Sequence, residues 1–172
     1  MLIVIDMQND FTYGALKNEQ AISVISNIAA KIEEYDGEVV FTRDTHYENY
    51  LETREGRYLP VEHCIKGKDG WQIVDELERL RIKHGYDAFD KETFGSVDLA
   101  KYVSDKYKEG KVKEVELVGV CTDICVISNA MLIKAFVPEL DVKVDSKCCA
   151  GVTVESHENA LNAMKACQIE II

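Results

Sequence analysis

Short uninterrupted apolar runs alternate with helically spaced apolar positions along nearly the whole chain. Residues 2–5 (LIVI) form a continuous apolar run ending at Asp6, the pattern of a strand buried on both faces. Ile22, Ile25, Ile28 and Ile32 recur at helical spacing and predict a helix over 18–34. Residues 37–42 (GEVVFT) predict a second strand. The next stretch, 43–70, is polar and irregular, and that length inside a compact domain usually signals function. An amphipathic helix is predicted over 71–83, a short strand over 86–89, and a helix over 96–109 with Ser96 or Asp98 near its N-cap. A strand over 114–119, a buried helix over 123–135, a strand over 140–144, a helix over 155–166 and a strand over 169–172 complete the pattern.

Six strands interleaved with helices predict an α/β fold, a three-layer α/β/α sandwich around a six-stranded parallel sheet. The chain has no repeat, low-complexity segment or linker, and its 172 residues suit a single domain over 1–172. With 47% apolar and 30% charged residues, disorder is excluded. A formal charge of −11 and the lack of a basic run argue against nucleic acid and anionic membranes as partners. No apolar run approaches the roughly 20 residues of a membrane span. The N-terminus has no basic region and carries Asp6 inside its apolar stretch, unlike a signal peptide. The expected location is cytoplasmic, where thiols stay reduced. The six cysteines are then core residues, metal ligands or nucleophiles rather than a disulfide framework.

In parallel α/β sheets, ligands bind beyond the carboxyl ends of the strands. Here those ends carry Asp6, then Arg43, Asp44 and His46, then Asp90 and Lys91, then Cys121 to Cys125. Cys125 falls where a strand runs into a helix, a setting that favours a thiolate and can hold an oxyanion. The plainer reading is a small buried hydrophobe. Cys121 and Cys125 as a redox or metal pair would have an unusual CxxxC spacing. Asp6 is either a solvated or capping acid, or a base for a thiol on the adjacent strand end. Lys91 is either a surface lysine or a cation that orients Asp6 and stabilises charge shared with Cys125. Asp44, His46, Glu55 and His63 form a candidate ligand set for zinc, iron or manganese, with Glu48, Glu52 and Glu62 as competing acids. The competing view is a polar loop with two incidental histidines. His84 and His157 read as surface or structural residues, and Cys64, Cys148, Cys149 and Cys167 as packing residues.

Four blocks in order resemble the isochorismatase-like cysteine hydrolase family over nearly the whole chain. They are Ile5-Asp6-Met7-Gln8-Asn9-Asp10-Phe11, Thr42-Arg43-Asp44-Thr45-His46, Lys91 before Phe94, and Gly119-Val120-Cys121-Thr122-Asp123-Ile124-Cys125-Val126. Asp44, His46 and the Pro60-to-Cys64 turn with His63 resemble the metal motif of the nicotinamidase (pyrazinamidase) branch. Cys121 stands where the family more often has a small residue, and many members have two prolines before the histidine. The resemblance implies an Asp6–Lys91–Cys125 triad and an oxyanion hole from the backbone N–H groups of Cys121 and Cys125. It also implies a cis peptide at Val120–Cys121 and a metal on Asp44, His46, His63 and Glu55, zinc before iron or manganese. The implied pocket includes Phe11 and Val120, with Tyr58 or Leu59 as its wall. The implied reaction is deamidation of nicotinamide to nicotinate through a thioester, a step of NAD salvage, with pyrazinamide as a side substrate and a homo-oligomer as the assembly. The alternatives are a family hydrolase of another small amide or vinyl ether, and an inactive small-molecule binding protein.

Overall fold

Strand β1 (Leu2–Ile5) is wholly buried, and its side chains feed two different cores. Leu2 and Val4 pack into one, Ile3 and Ile5 into the other, as the two-residue period of a strand covered on both faces requires. The computed structural model describes all residues, 1–172. After β1 come the single-turn helix α1 (Asn9–Thr12), then α2 (Glu19–Ser23), α3 (Ile25–Glu34) and β2 (Val39–Asp44). They are followed by α4 (Arg54–Tyr58), α5 (Asp75–His84), β3 (Ala88–Lys91), α6 (Val97–Lys108) and β4 (Glu114–Val120). The chain ends with α7 (Ile127–Phe136), β5 (Asp141–Ala150), α8 (Val154–Ala166) and β6 (Glu170–Ile171).

All five strand pairings are parallel, in the order β3-β2-β1-β4-β5-β6, with helices on both faces. The chain leaves β1 toward β2 on one side and returns to β4 on the other. The crevice at this reversal is the binding position of doubly wound sheets. No helix is long and apolar enough to cross a membrane.

The structure departs from the sequence pattern in instructive ways. The helix expected over 18–34 is two helices meeting at Val24, with Asn18 capping the first. Ala21, Val24, Ile25, Ile28 and Ile32 are the buried stripe, and Ile22 is only partly covered. The helix expected from residue 71 starts at Asp75, because Gln8 and Ile73 form an antiparallel bridge and Trp71 closes a 3-10 turn. Ser96 is the N-cap of α6, accepting from the Leu99 N–H. β5 continues six residues past the expected end at Val144, to Ala150. Lys31 pairs with Glu116 and Asp145 where the β4–β5 register shifts, between the Leu117–Val144 and Gly119–Cys149 pairs. Cys148 and Cys149 then alternate into opposite cores, which accounts for a vicinal pair of free thiols. Cys64 is buried too, but Cys167 is exposed beyond α8 and is not a packing residue.

Candidate active site

Four neighbouring strands, β3, β2, β1 and β4, end on one rim, and each delivers a functional group to it. Asp44 pairs in register with Lys91, and Ile5 pairs with Gly119. Asp6 leaves β1 at φ 47°, a left-handed conformation costly for a residue with a Cβ, and is fully buried. Past β4, the Val120–Cys121 peptide is cis, and Thr122–Val126 forms a wide π-type turn. Cys125 therefore sits within this turn rather than at the N-terminus of α7. Gly119 lies at φ 115°, and a Cβ there would meet the Ile5 carbonyl oxygen at 2.1 Å. Only glycine lets β4 approach β1 this closely at the site.

Lys91 Nζ is the hub. It lies 2.6 Å from Asp6 Oδ2, 3.2 Å from Asp44 Oδ1 and 3.5 Å from Cys125 Sγ, and all four side chains are buried. The Thr42 hydroxyl donates to Asp6 Oδ1 at 2.6 Å. Asp6 Oδ2 has no hydrogen bond of good angle and faces the ammonium as an ion pair. Burial pushes the Cys125 thiol well above its ordinary value, and the Asp6 charge adds to this. Burial also raises the Asp6 carboxyl, against the opposing pull of Lys91. Burial alone would lower Lys91, but the charges of Asp6, Cys125 and Asp44 outweigh it and hold the ammonium protonated.

Asp44 carries the site over to a second group. Its Oδ2 lies 3.0 Å from His46 Nε2 and 3.6 Å from His63 Nε2, and Glu55 Oε1 lies 3.6 Å and 3.8 Å from the same two nitrogens. These four ligand atoms all fall within 4.8 Å of one another. The His63 Nδ1–H donates to the Val61 carbonyl at 2.9 Å, which turns the Nε2 lone pair toward the cluster. The Tyr50 ring packs 4.7 Å from His46 and 5.0 Å from His63. Two imidazoles, one with its tautomer set by the Val61 carbonyl, and two carboxylates fit a divalent transition ion. Burial would raise Asp44, yet hydrogen bonds to His46 and His63 and the Lys91 charge hold it far below the carboxylate range. Burial and the Asp44 charge raise Glu55. Of the acids left open by sequence, Glu55 is the one that joins the cluster.

A cavity of about 800 Å³ opens above both groups. Phe11, Tyr58 and Leu59 line it together with Cys121, Ile124 and Cys125. Val120 does not line it. That side chain is fully buried in the core under the sheet, because β4 alternation turns it away from the rim. Phe94, at the mouth, is half exposed. His84 stacks on Tyr86 at 5.2 Å and takes no part in the site.

Three supporting residues escape sequence reading. Gln8 donates to the carbonyls of Asp44 and Trp71 and accepts the Asp44 N–H, fixing β2's end. Asp10 accepts the N–H groups of Cys64 and Ala15, holding the turn that carries His63. Asn129 donates to the carbonyls of Cys125 and Phe94 and accepts the Ser96 N–H, bracing the Cys125 turn against the loop after Lys91. Gln8 and Asp10 belong to the first block of the family resemblance, and the signal for Asn129 is a polar residue inside an apolar segment.

A family model described as the isochorismatase domain matches residues 1–172. The nicotinamidase of Saccharomyces cerevisiae is 30% identical over 76% of this chain and 79% of its own length. The crystal structure of the nicotinamidase/pyrazinamidase from Bacillus subtilis superposes with a TM-score of 0.83 at 30% identity, covering 99% of this chain and 97% of that one. The pyrazinamidase of Pyrococcus horikoshii, solved in complex with zinc, gives 0.81 at 28% identity with the same coverage. This chain belongs to the isochorismatase family, on its nicotinamidase branch. It is an amidohydrolase acting on a carboxamide.

Proposed function

We propose that this chain hydrolyses nicotinamide to nicotinate and ammonia through a thioester on Cys125. The observation that carries this reading is the convergence of Asp6, Lys91 and Cys125 around one buried ammonium, sharing a cavity with a four-residue ligand group. Thr42 occupies one oxygen of Asp6, so the other, Oδ2, ion-paired to Lys91, takes the Cys125 proton as Sγ attacks the carboxamide carbon. Lys91 stabilises the negative charge passed between them. The backbone N–H groups of Cys121 and Cys125 receive the oxyanion, each such donor contributing roughly 2.7–4 kcal/mol to lowering the barrier. Asp6 returns its proton to the departing ammonia. The same carboxylate then deprotonates a water that cleaves the thioester, releasing nicotinate and regenerating the thiol.

Asp44, His46, Glu55 and His63 would hold a divalent ion, zinc in this reading, which would supply a Lewis-acidic position for the pyridine nitrogen. Phe11, Tyr58 and Leu59 wall the ring, and pyrazinamide, with a second ring nitrogen, is a side substrate. The product feeds pyridine-nucleotide salvage in the cytoplasm. Ammonia release from nicotinamide by metal-loaded protein tests the reading. Cys125→Ala should lower it by at least about 10³-fold. Metal-loaded wild-type protein that leaves nicotinamide intact overturns the substrate assignment.

A further inference from the structure

The nucleophile turn is held from two sides, and only one of them faces the catalytic groups. On the inner side Asn129 grips the Cys125 carbonyl. On the outer side the turn leans on the start of α8. There Thr122 Oγ1 and His157 Nδ1 share a hydrogen bond of 2.8 Å, and Asp123 Oδ1 accepts the Val152 N–H at 3.1 Å.

Thr122 is fully buried, and His157 is the one side chain that hydrogen-bonds its hydroxyl. His157 is itself fixed by local geometry. Thr153 and Ser156 form a reciprocal capping box that sets where α8 begins, and the His157 N–H donates to the Thr153 carbonyl. Gly151 presses against it so closely that a Cβ there would meet the His157 Cβ and backbone N at 2.9 Å. The imidazole is thus delivered to Thr122 from a rigid first turn, three residues from Cys125 in the π-type turn. That turn carries the thiol and one of the two proposed oxyanion donors, where a small displacement lowers rate far more than binding.

We infer that His157 is a positioning residue for the Cys125 chemistry, acting through Thr122 to hold the nucleophile turn in its reactive conformation. This rests on the cysteine mechanism proposed above. The Nδ1 position of the contact gives a selective test. Asparagine places a polar atom where Nδ1 lies, whereas alanine places none.

The experiment compares wild type, His157→Ala, His157→Asn, Thr122→Val and the double variant His157→Ala/Thr122→Val, all metal-loaded. His157→Ala and Thr122→Val should each lower kcat about tenfold with KM within about twofold. The double variant should be no worse than either single change, and His157→Asn should recover most of the loss. A His157→Ala enzyme with unchanged kcat, additive losses in the double variant, or an asparagine variant as poor as alanine overturns the inference. The rate of Cys125 alkylation by iodoacetamide, read by mass spectrometry, separates this from the substrate assignment. If wild type leaves nicotinamide intact, that assignment fails, and the alkylation rate still decides here. A rate lowered in His157→Ala and restored in His157→Asn supports the positioning role, and equal rates in all variants overturn it.

Discussion

Asp44 gives one oxygen to the Lys91 ammonium and the other to the histidine pair, so a single carboxylate ties the proton-handling half of the site to the ligand half. Asp6 has the complementary arrangement, with one oxygen saturated by Thr42 and the other left facing the ammonium. In the proposed mechanism, that asymmetry makes Asp6 the group whose protonation limits the reaction. Burial raises its carboxyl above the ordinary value of 3.8, so folding favours its protonated form. The stability from that form is full below the ordinary value and is lost as pH rises through the raised one. The proposed catalysis runs the opposite way, because only the carboxylate can accept the thiol proton. The expected pH profile of kcat/KM therefore falls on the acid side with a midpoint above 3.8. Asp6→Asn should lower kcat by at least about 10²-fold while sparing the fold, since an amide can still accept from Thr42. An acid midpoint at or below the ordinary aspartate value, or an active Asp6→Asn enzyme, contradicts this role.

Among the elements, β4 is the one whose geometry the site depends on most. Gly119 sits at a positive φ with the β1 carbonyl where a side chain would be. Gly119→Ala should cost at least about 2 kcal/mol and displace the nucleophile turn, visible as a lowered thermal midpoint together with lost activity. A Gly119→Ala protein with wild-type midpoint and rate would show that the two strands can separate without consequence. The same strands explain what the sequence pattern conveyed and what it hid. The alternation of buried runs and amphipathic helices was legible, because β1 and β4 lie between two apolar layers. The ends of β2 and β3 were not. Arg43, Asp44, Asp90 and Lys91 look like loop residues, yet they pair in register, and Arg43 binds Asp90 across the strands. Polarity that closes a strand on paper is here the functional rim itself. Val120 failed for a related reason, since its neighbour Cys121 reaches the cavity while strand alternation turns Val120 into the core. The histidines and Asp44 could be picked out by spacing. Glu55 stood among several acids until α4, capped by Thr53, turned it inward.

At the scale of the whole molecule, the ligand group closes the longest irregular stretch of the chain. Asp44 and His46 sit at the end of β2, Glu55 on α4 and His63 on the returning loop, so one ion would tie three separate pieces of residues 43–70 together. Without it, two carboxylates share a mostly buried space with two imidazoles and rely on Lys91 for compensation. An ion that binds the folded chain and not the unfolded one stabilises by mass action, about 2.7 kcal/mol at a hundredfold excess over Kd. For a chain of this size that corresponds to a rise in thermal midpoint of roughly 5–10 °C. Calorimetry of chelator-treated protein before and after adding zinc measures it. Limited proteolysis should show the same ion protecting residues 43–70 while leaving the sheet unaffected. His63→Ala and Glu55→Gln should each shrink the shift, whereas a change at the distant Lys143–Glu114 pair should leave it intact. Protein that binds the ion by elemental analysis yet melts at the same temperature with and without it would mean that the four ligands are held by the fold alone. In that case the segment would be rigid before the ion arrives, and the ion's contribution would be confined to orienting the substrate.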